Sequence, residues 1–180
     1  MNAEMILVRA SLEDVRQAIA NIATSMSSEH GQPLPLPAFA SRPDVRMNGK
    51  RTLILVEDEP WTAILEGGEV ADEFLGRALS RQLETETVIV GRYDTANACA
   101  RRTYTRGRLV DEQFTPPGAF EGGRGDDQWD GDAGHECKAW LENEGWSHGV
   151  ITFGQLIRGG NLPGISASQI TKVLFNQAPA

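Results

Sequence analysis

An α+β fold, built on a mainly antiparallel sheet of five or six strands, is what this sequence predicts, and three observations predict it. β-rich runs come in pairs around short turns, at Arg51–Leu65 and Ala96–Phe114, which is how hairpins are written. Two other segments, Ser11–Ser27 and Glu69–Leu83, repeat apolar residues every three or four positions, as amphipathic helices do. No internal repeat is visible, which removes solenoids and propellers. At 180 residues and 40% hydrophobic, the chain is expected to be one domain, spanning 1–180. The two early helices are expected on one face of the sheet and the C-terminal helices at an edge.

Taken in order, Met5-Ile-Leu-Val-Arg9 is a strand, and Ser11 follows it as a helix cap with Asp14 at the third position. Leu12, Val15, Ile19, Ile22 and Met26 then make one buried stripe. From Ser28 to Asn48 five prolines and glycines break both kinds of regular structure, leaving a connecting loop whose Leu34, Leu36 and Phe39 are expected to pack on the core. Arg51–Glu57 and Trp61–Leu65 form the first hairpin around Asp58-Glu-Pro60. In the second helix Val70, Phe74, Ala78 and Leu79 share a face, and Arg77 and Arg81 lie toward the negative end of the helix dipole. Thr87–Val90 is a strand, and the second hairpin turns at Thr105-Arg-Gly107 before Pro116-Pro117 stops the sheet. A third helix carries Cys137, Trp140 and Leu141 and ends at Gly145 with Trp146 packing back on it. Ser166-Ala-Ser-Gln169 reads as the capping box of a final helix with Ile170, Val173 and Leu174 on its apolar side.

Charge is unevenly placed. The stretch Glu121–Glu144 holds eight acidic residues against Arg124 and Lys138, so it carries a net six of the chain's eight formal negative charges. Its first half, Glu121–Gly134, is too rich in Gly and Asp for a helix or strand and reads as an exposed acidic arm with Trp129 at its centre. Such an arm suits a cationic partner and repels nucleic-acid phosphates. Arg92, Arg101, Arg102, Arg106 and Arg108 oppose it, with only Asp94 among them. Strand alternation sends Arg101 and Arg102 to opposite faces, so these arginines are read as internal ion pairs or edge protection and not as a nucleic-acid surface.

Familiar catalytic patterns are missing from the sequence. There is no phosphate-binding loop, dinucleotide fingerprint, Cys-x-x-Cys pair or nucleophile elbow, and His135-Glu136 lacks a second histidine four positions on. Asp126-x-Gln128-x-Asp130-Gly131-Asp132 follows the opening of a calcium loop, but position twelve is Cys137, so no metal is expected there. No cofactor is expected either. Cys99 and Cys137 are too few for a disulfide framework in a chain this long, and buried free thiols are expected. No apolar run reaches the ~18 residues of a membrane helix and the N-terminus lacks a signal-peptide pattern, so no membrane partner and a cytoplasmic location are expected.

The succession Trp61-Thr62, Leu79-Ser80, Val88–Val90, Asp94–Ala96 and Tyr104–Phe114 resembles a pattern in uncharacterised bacterial α/β domains over about residues 1–115. In general type the chain is similar to bacterial toxin-immunity proteins. The charge segregation and the missing catalytic set make a non-catalytic immunity or inhibitor protein the expected function. Residues Asp126, Asp127, Asp130 and Asp132 would supply the field toward a basic toxin or enzyme, and Trp129 the anchor. The competing expectation is an enzyme with a dispersed acid/base site near the sheet ends, drawing on Asp94, Asp111, Glu112 or His148.

Overall fold

The computed structural model describes residues 2–29, 50–67, 71–116, 131–157 and 162–176. Seven strands form one antiparallel sheet: β1 (Asn2–Val8), β2 (Lys50–Asp58), β3 (Trp61–Glu66), β4 (Glu86–Tyr93), β5 (Ala98–Thr105), β6 (Arg108–Thr115) and β7 (Ile170–Asn176). Their order across the sheet is β6-β5-β4-β1-β3-β2-β7. Four α-helices accompany them: α1 (Leu12–Glu29), α2 (Glu73–Gln82), α3 (Ala133–Asn143) and α4 (Phe153–Ile157). The α+β class expected from the sequence is the observed one.

β1 lies at the centre because it is apolar on both faces. Met5, Ile6, Leu7 and Val8 are all at most 2% exposed, and burying each contributes ~1.5–3 kcal/mol. Side chains alternate across the sheet, so Ile6 and Val8 join Leu53, Leu55, Ile64 and Ile89 under α1 and α2. Met5 and Leu7 join Ile54, Val56, Trp61, Ala63 and Val90 on the other face, under α3 and the segment after it. α1 and α2 do cover one face, as expected.

Two placements differ from the sequence reading. The sheet has seven strands instead of five or six, because Ile170–Asn176 is a strand paired antiparallel with β2 and not a helix. The capping box at Ser166 and Gln169 forms, but it closes only a single 3-10 turn, and the β-branched Ile170, Thr171 and Val173 then extend along an open sheet edge. Nor does α3 sit at an edge. Cys137 and Leu141 are buried on the sheet's second face, which gives a helix–sheet–helix sandwich.

Local signals decide the helix ends. Asp14 N–H donates to Ser11 Oγ at 3.2 Å ahead of α1, and Asp72 accepts from the N–H groups of Phe74 and Leu75 at the start of α2. α3 ends as anticipated: Gly145 is left-handed (φ +85°), and Trp146 N–H and Gly145 N–H donate to Leu141 and Glu142 carbonyls at 2.8 and 3.0 Å. Trp146 is fully buried beneath that turn. The segment Ser28–Asn48, with its proline-rich run, lies for the most part outside the described residues.

Candidate binding surface and acid/base groups

Of the five residues assigned to partner binding, Asp132 is described; Asp126, Asp127, Trp129 and Asp130 lie outside the described residues. The arm leaves the sheet after Thr115, which pairs with Cys99 at the end of the β5–β6 ladder. It returns at Asp132, which caps α3 by accepting from Gly134 N–H at 2.8 Å. Asp132 therefore has a structural task in addition to any field it supplies. An Asp followed by helix-forming residues is an N-cap signal, and that signal was obscured by the acidic run preceding it.

Two rungs tie the returning end of the arm to β5. Asn97, held left-handed at φ +42°, donates from Nδ2 to the Gly131 carbonyl at 3.0 Å and accepts the Ala133 N–H at 3.2 Å. Two residues along β5, Cys99 forms a disulfide with Cys137, with Cα atoms 5.9 Å apart. The expectation of free thiols is thus overturned. A helix crossing the second face of the sheet brings together two cysteines separated by 38 positions, and spacing along the chain holds no trace of that.

Neighbouring arginines are occupied locally. Arg92 Nε meets Asp94 Oδ1 at 2.6 Å, Arg102 Nε meets Glu112 Oε1 at 2.6 Å, and Arg101 pairs with Glu144. Arg101 and Arg102 go to different partners on different faces, as strand alternation requires. The Arg92 guanidinium, hydrogen-bonded to Asp94, holds that carboxyl well below the usual range. Arg106 and Arg108 flank Gly107 at the opposite end of the hairpin from Thr115, ~25 Å away along an eight-residue strand.

The four acid/base candidates are not brought together. β4 runs antiparallel to β1, so Tyr93 and the adjacent Asp94 lie beside Asn2, whereas the β2–β3 turn with Asp58 lies beyond Val8, at the other end. Asp111 is on the edge strand, where Gln113 donates to it, and Glu112 is held by Arg102. His148 alone among the four meets a carboxylate: Nε2 is 2.9 Å from Asp58 Oδ2, its side chain is 8% exposed, and Trp146 meets it edge-on at 5.0 Å. The residues are 90 positions apart, which hid the pair from sequence reasoning.

Near that turn Ala10, Ser11, Glu57, Glu59, Pro60 and Trp61 line an open cleft of about 500 Å³. Its polar groups are largely committed. Glu57 Oε1 accepts the Leu12 N–H at 2.8 Å and Ser11 Oγ donates to Asp14 at 2.7 Å, so Ser11 is not activated by His148. Trp61 is buried, its Nε1–H donating to the Glu144 carbonyl at 2.6 Å with the Arg9 guanidinium 5.7 Å from its ring. No cluster of three or more His, Cys, Asp or Glu able to hold a metal occurs among the described residues, and no helix there is long and apolar enough to cross a membrane. Compared with protein-family models, curated proteins and solved structures, the chain matches none.

Proposed function

We propose that this chain is a non-catalytic binding protein of the immunity or inhibitor type, engaging a basic toxin or enzyme through the acidic arm around Trp129. The observation that carries the reading is the local commitment of the arginines nearest the arm. Arg92, Arg101 and Arg102 are paired with Asp94, Glu144 and Glu112, none of which belongs to Glu121–Gly134, and of the described arm residues Asp132 adds only a minor attraction to Arg92, which supports an arm whose charge serves a partner. The Asn97 and Cys99 rungs fix where the arm returns, which lowers the ordering entropy that binding must overcome. Nucleic acid is disfavoured as a partner by the net charge of −8. The disulfide favours a compartment poor in thiol reductants over the cytoplasm expected from the missing membrane-helix and signal-peptide patterns.

The test is to isolate the partner on tagged protein from the native cell and then measure association with the purified pair. Exchanging Asp126, Asp127 and Asp130 for Asn together with Trp129→Ala should weaken binding by about a hundredfold, and added salt should slow the wild-type on-rate steeply. An on-rate indifferent to salt, or full affinity in the quadruple variant, defeats the reading. Catalysis at the Asp58–His148 pair is the second reading, favoured by their 2.9 Å approach. Turnover of an ester or phosphoester substrate that disappears in His148→Gln would establish it in place of the first.

A further inference from the structure

The cleft of about 500 Å³ beside the β2–β3 turn, lined by Ala10, Ser11, Glu57, Glu59, Pro60 and Trp61, opens at the end of the sheet opposite the one from which the arm leaves. Its walls are fixed. Thr62, paired with Glu57 across the first hairpin and fully buried, donates from Oγ1 to the Ala10 carbonyl at 2.8 Å. Glu57 in turn accepts the Leu12 N–H on Oε1 at 2.8 Å, and its backbone carbonyl accepts from Gln169 Nε2 at 3.0 Å. A carboxylate anchored through one oxygen needs little further ordering before the other accepts a hydrogen bond.

Donors and acceptors are unequal there. The side-chain donors among the lining residues are the Ser11 hydroxyl and the Trp61 indole, and both are taken: Ser11 donates to Asp14 Oδ2 at 2.7 Å and Trp61 to the Glu144 carbonyl at 2.6 Å. Acceptor capacity remains. Glu57 Oε2 and both oxygens of Glu59 have no hydrogen bond or ion pair among the described residues. Ser11 Oγ accepts the Asp14 N–H at 3.2 Å and keeps a second lone pair. Asp58, between the two glutamates in the chain, is engaged by His148. Ala10, Pro60 and Trp61 supply the apolar part of the lining.

We propose that this cleft binds a small alkylammonium compound, its N–H groups donating to Glu57, Glu59 and Ser11 and its hydrocarbon stem lying against Pro60 and Trp61. An ammonium group carries donors and no acceptor, which complements a lining whose free side-chain groups only accept. The volume falls in the range of small-molecule pockets, roughly 300–1,000 Å³. A divalent metal ion is disfavoured, since no three His, Cys, Asp or Glu residues converge to hold one among the described residues. The Arg9 guanidinium, 5.7 Å from the Trp61 ring and paired with no carboxylate among the described residues, repels a polycation and favours a ligand with one compact charge. The site needs nothing from the acidic arm and stands whether or not that arm binds a basic partner.

The test titrates isotopically labelled full-length protein, at constant pH and ionic strength, with three probes: n-butylammonium, n-butanol, which keeps the stem and lacks the charge, and magnesium ion. Amide-correlation NMR follows the Leu12 N–H, held by Glu57, and the Trp61 indole N–H. n-Butylammonium should shift both signals saturably and bind about tenfold tighter than either other probe. Glu57→Gln should lose about tenfold of that affinity and the exposed Glu59→Gln about threefold, while Glu142→Gln, exposed on α3, leaves it unchanged. Dispersion of the amide signals checks that each variant is folded, and Glu59→Gln supplies the answer should Glu57→Gln unfold. Absence of saturable shifts, equal or tighter binding of butanol or magnesium, or undiminished affinity in the folded glutamate variants overturns the proposal.

Discussion

Cys99 and Cys137, 38 positions apart, are joined across the contact of β5 with α3, and the stretch between them contains the whole acidic arm. Closing a loop of that length removes ~4 kcal/mol of entropy from the unfolded chain. Both residues are at most 1% exposed. The native protein should therefore show no thiol reactive toward Ellman's reagent, and two after reduction in denaturant. The C99A/C137A variant should be less stable by ~2–4 kcal/mol in urea unfolding. A reactive thiol in the untreated native protein would count against the bridge.

Asp132 and Asp127 are predicted to behave differently although both belong to the acidic run. Losing the α3 cap in Asp132→Ala should cost ~1 kcal/mol of stability. On the proposed function, in which Asp127 serves a partner, Asp127→Ala should fall within ~0.5 kcal/mol of wild type. Chemical denaturation of the two variants side by side checks this.

A side chain at Gly91 would displace the Tyr93 ring. A Cβ there would lie 2.6 Å from the Tyr93 hydroxyl, which crosses to donate to Glu4, whose other oxygen accepts the Ala71 N–H at 2.8 Å. Gly91→Ala should destabilise the protein by ~1–3 kcal/mol. Adding Tyr93→Phe should recover part of that loss, and the melting temperatures of the single and double variants test the coupling.

Tyr104 sets an alkaline limit. Burial, and then its hydrogen bond to Glu73, push its phenol above the usual value of 10.0. A group whose folded-state pKa is raised contributes stability that is complete below the unfolded value and is lost as pH climbs from there toward the folded one. Unfolding free energy should thus decline above pH ~10, and Tyr104→Phe should flatten that decline. Denaturation at several pH values from neutrality upward, with both proteins, measures it.

Trp61 binds the first hairpin to the end of α3 through its Nε1–H and the Glu144 carbonyl at 2.6 Å. Trp61→Phe removes the donor and some buried volume, leaving that carbonyl short of a partner, and should cost ~2–4 kcal/mol. Urea unfolding followed by far-ultraviolet circular dichroism gives the value without relying on tryptophan emission.

Six of the strands, the two amphipathic helices on one face, the Gly145 stop and the N-cap at Ser11 were legible in the sequence, because each rests on interactions within a few residues: period, turn chemistry and capping. Ile170–Asn176 was misread for the same reason. Its capping box is a true local signal for one turn, but the choice between helix and strand was made by the vacant edge of β2, more than a hundred positions away. The site was less legible. Charge asymmetry is written along the chain, whereas the partner each arginine takes depends on which carboxylate the folded sheet sets beside it.

By itself the sequence determined the α+β class, the position of the acidic arm and the absence of familiar catalytic motifs. Only the tertiary structure decided that Cys99 meets Cys137, that Asp58 meets His148, that α3 covers the second face and that the β5–β6 turn docks on Ser80 through the Gly107 N–H. The physical reason is range. Helix period and turn chemistry act over a handful of residues, while disulfide geometry, burial on two sheet faces and the spacing of charges arise when packing brings distant parts of the chain into contact.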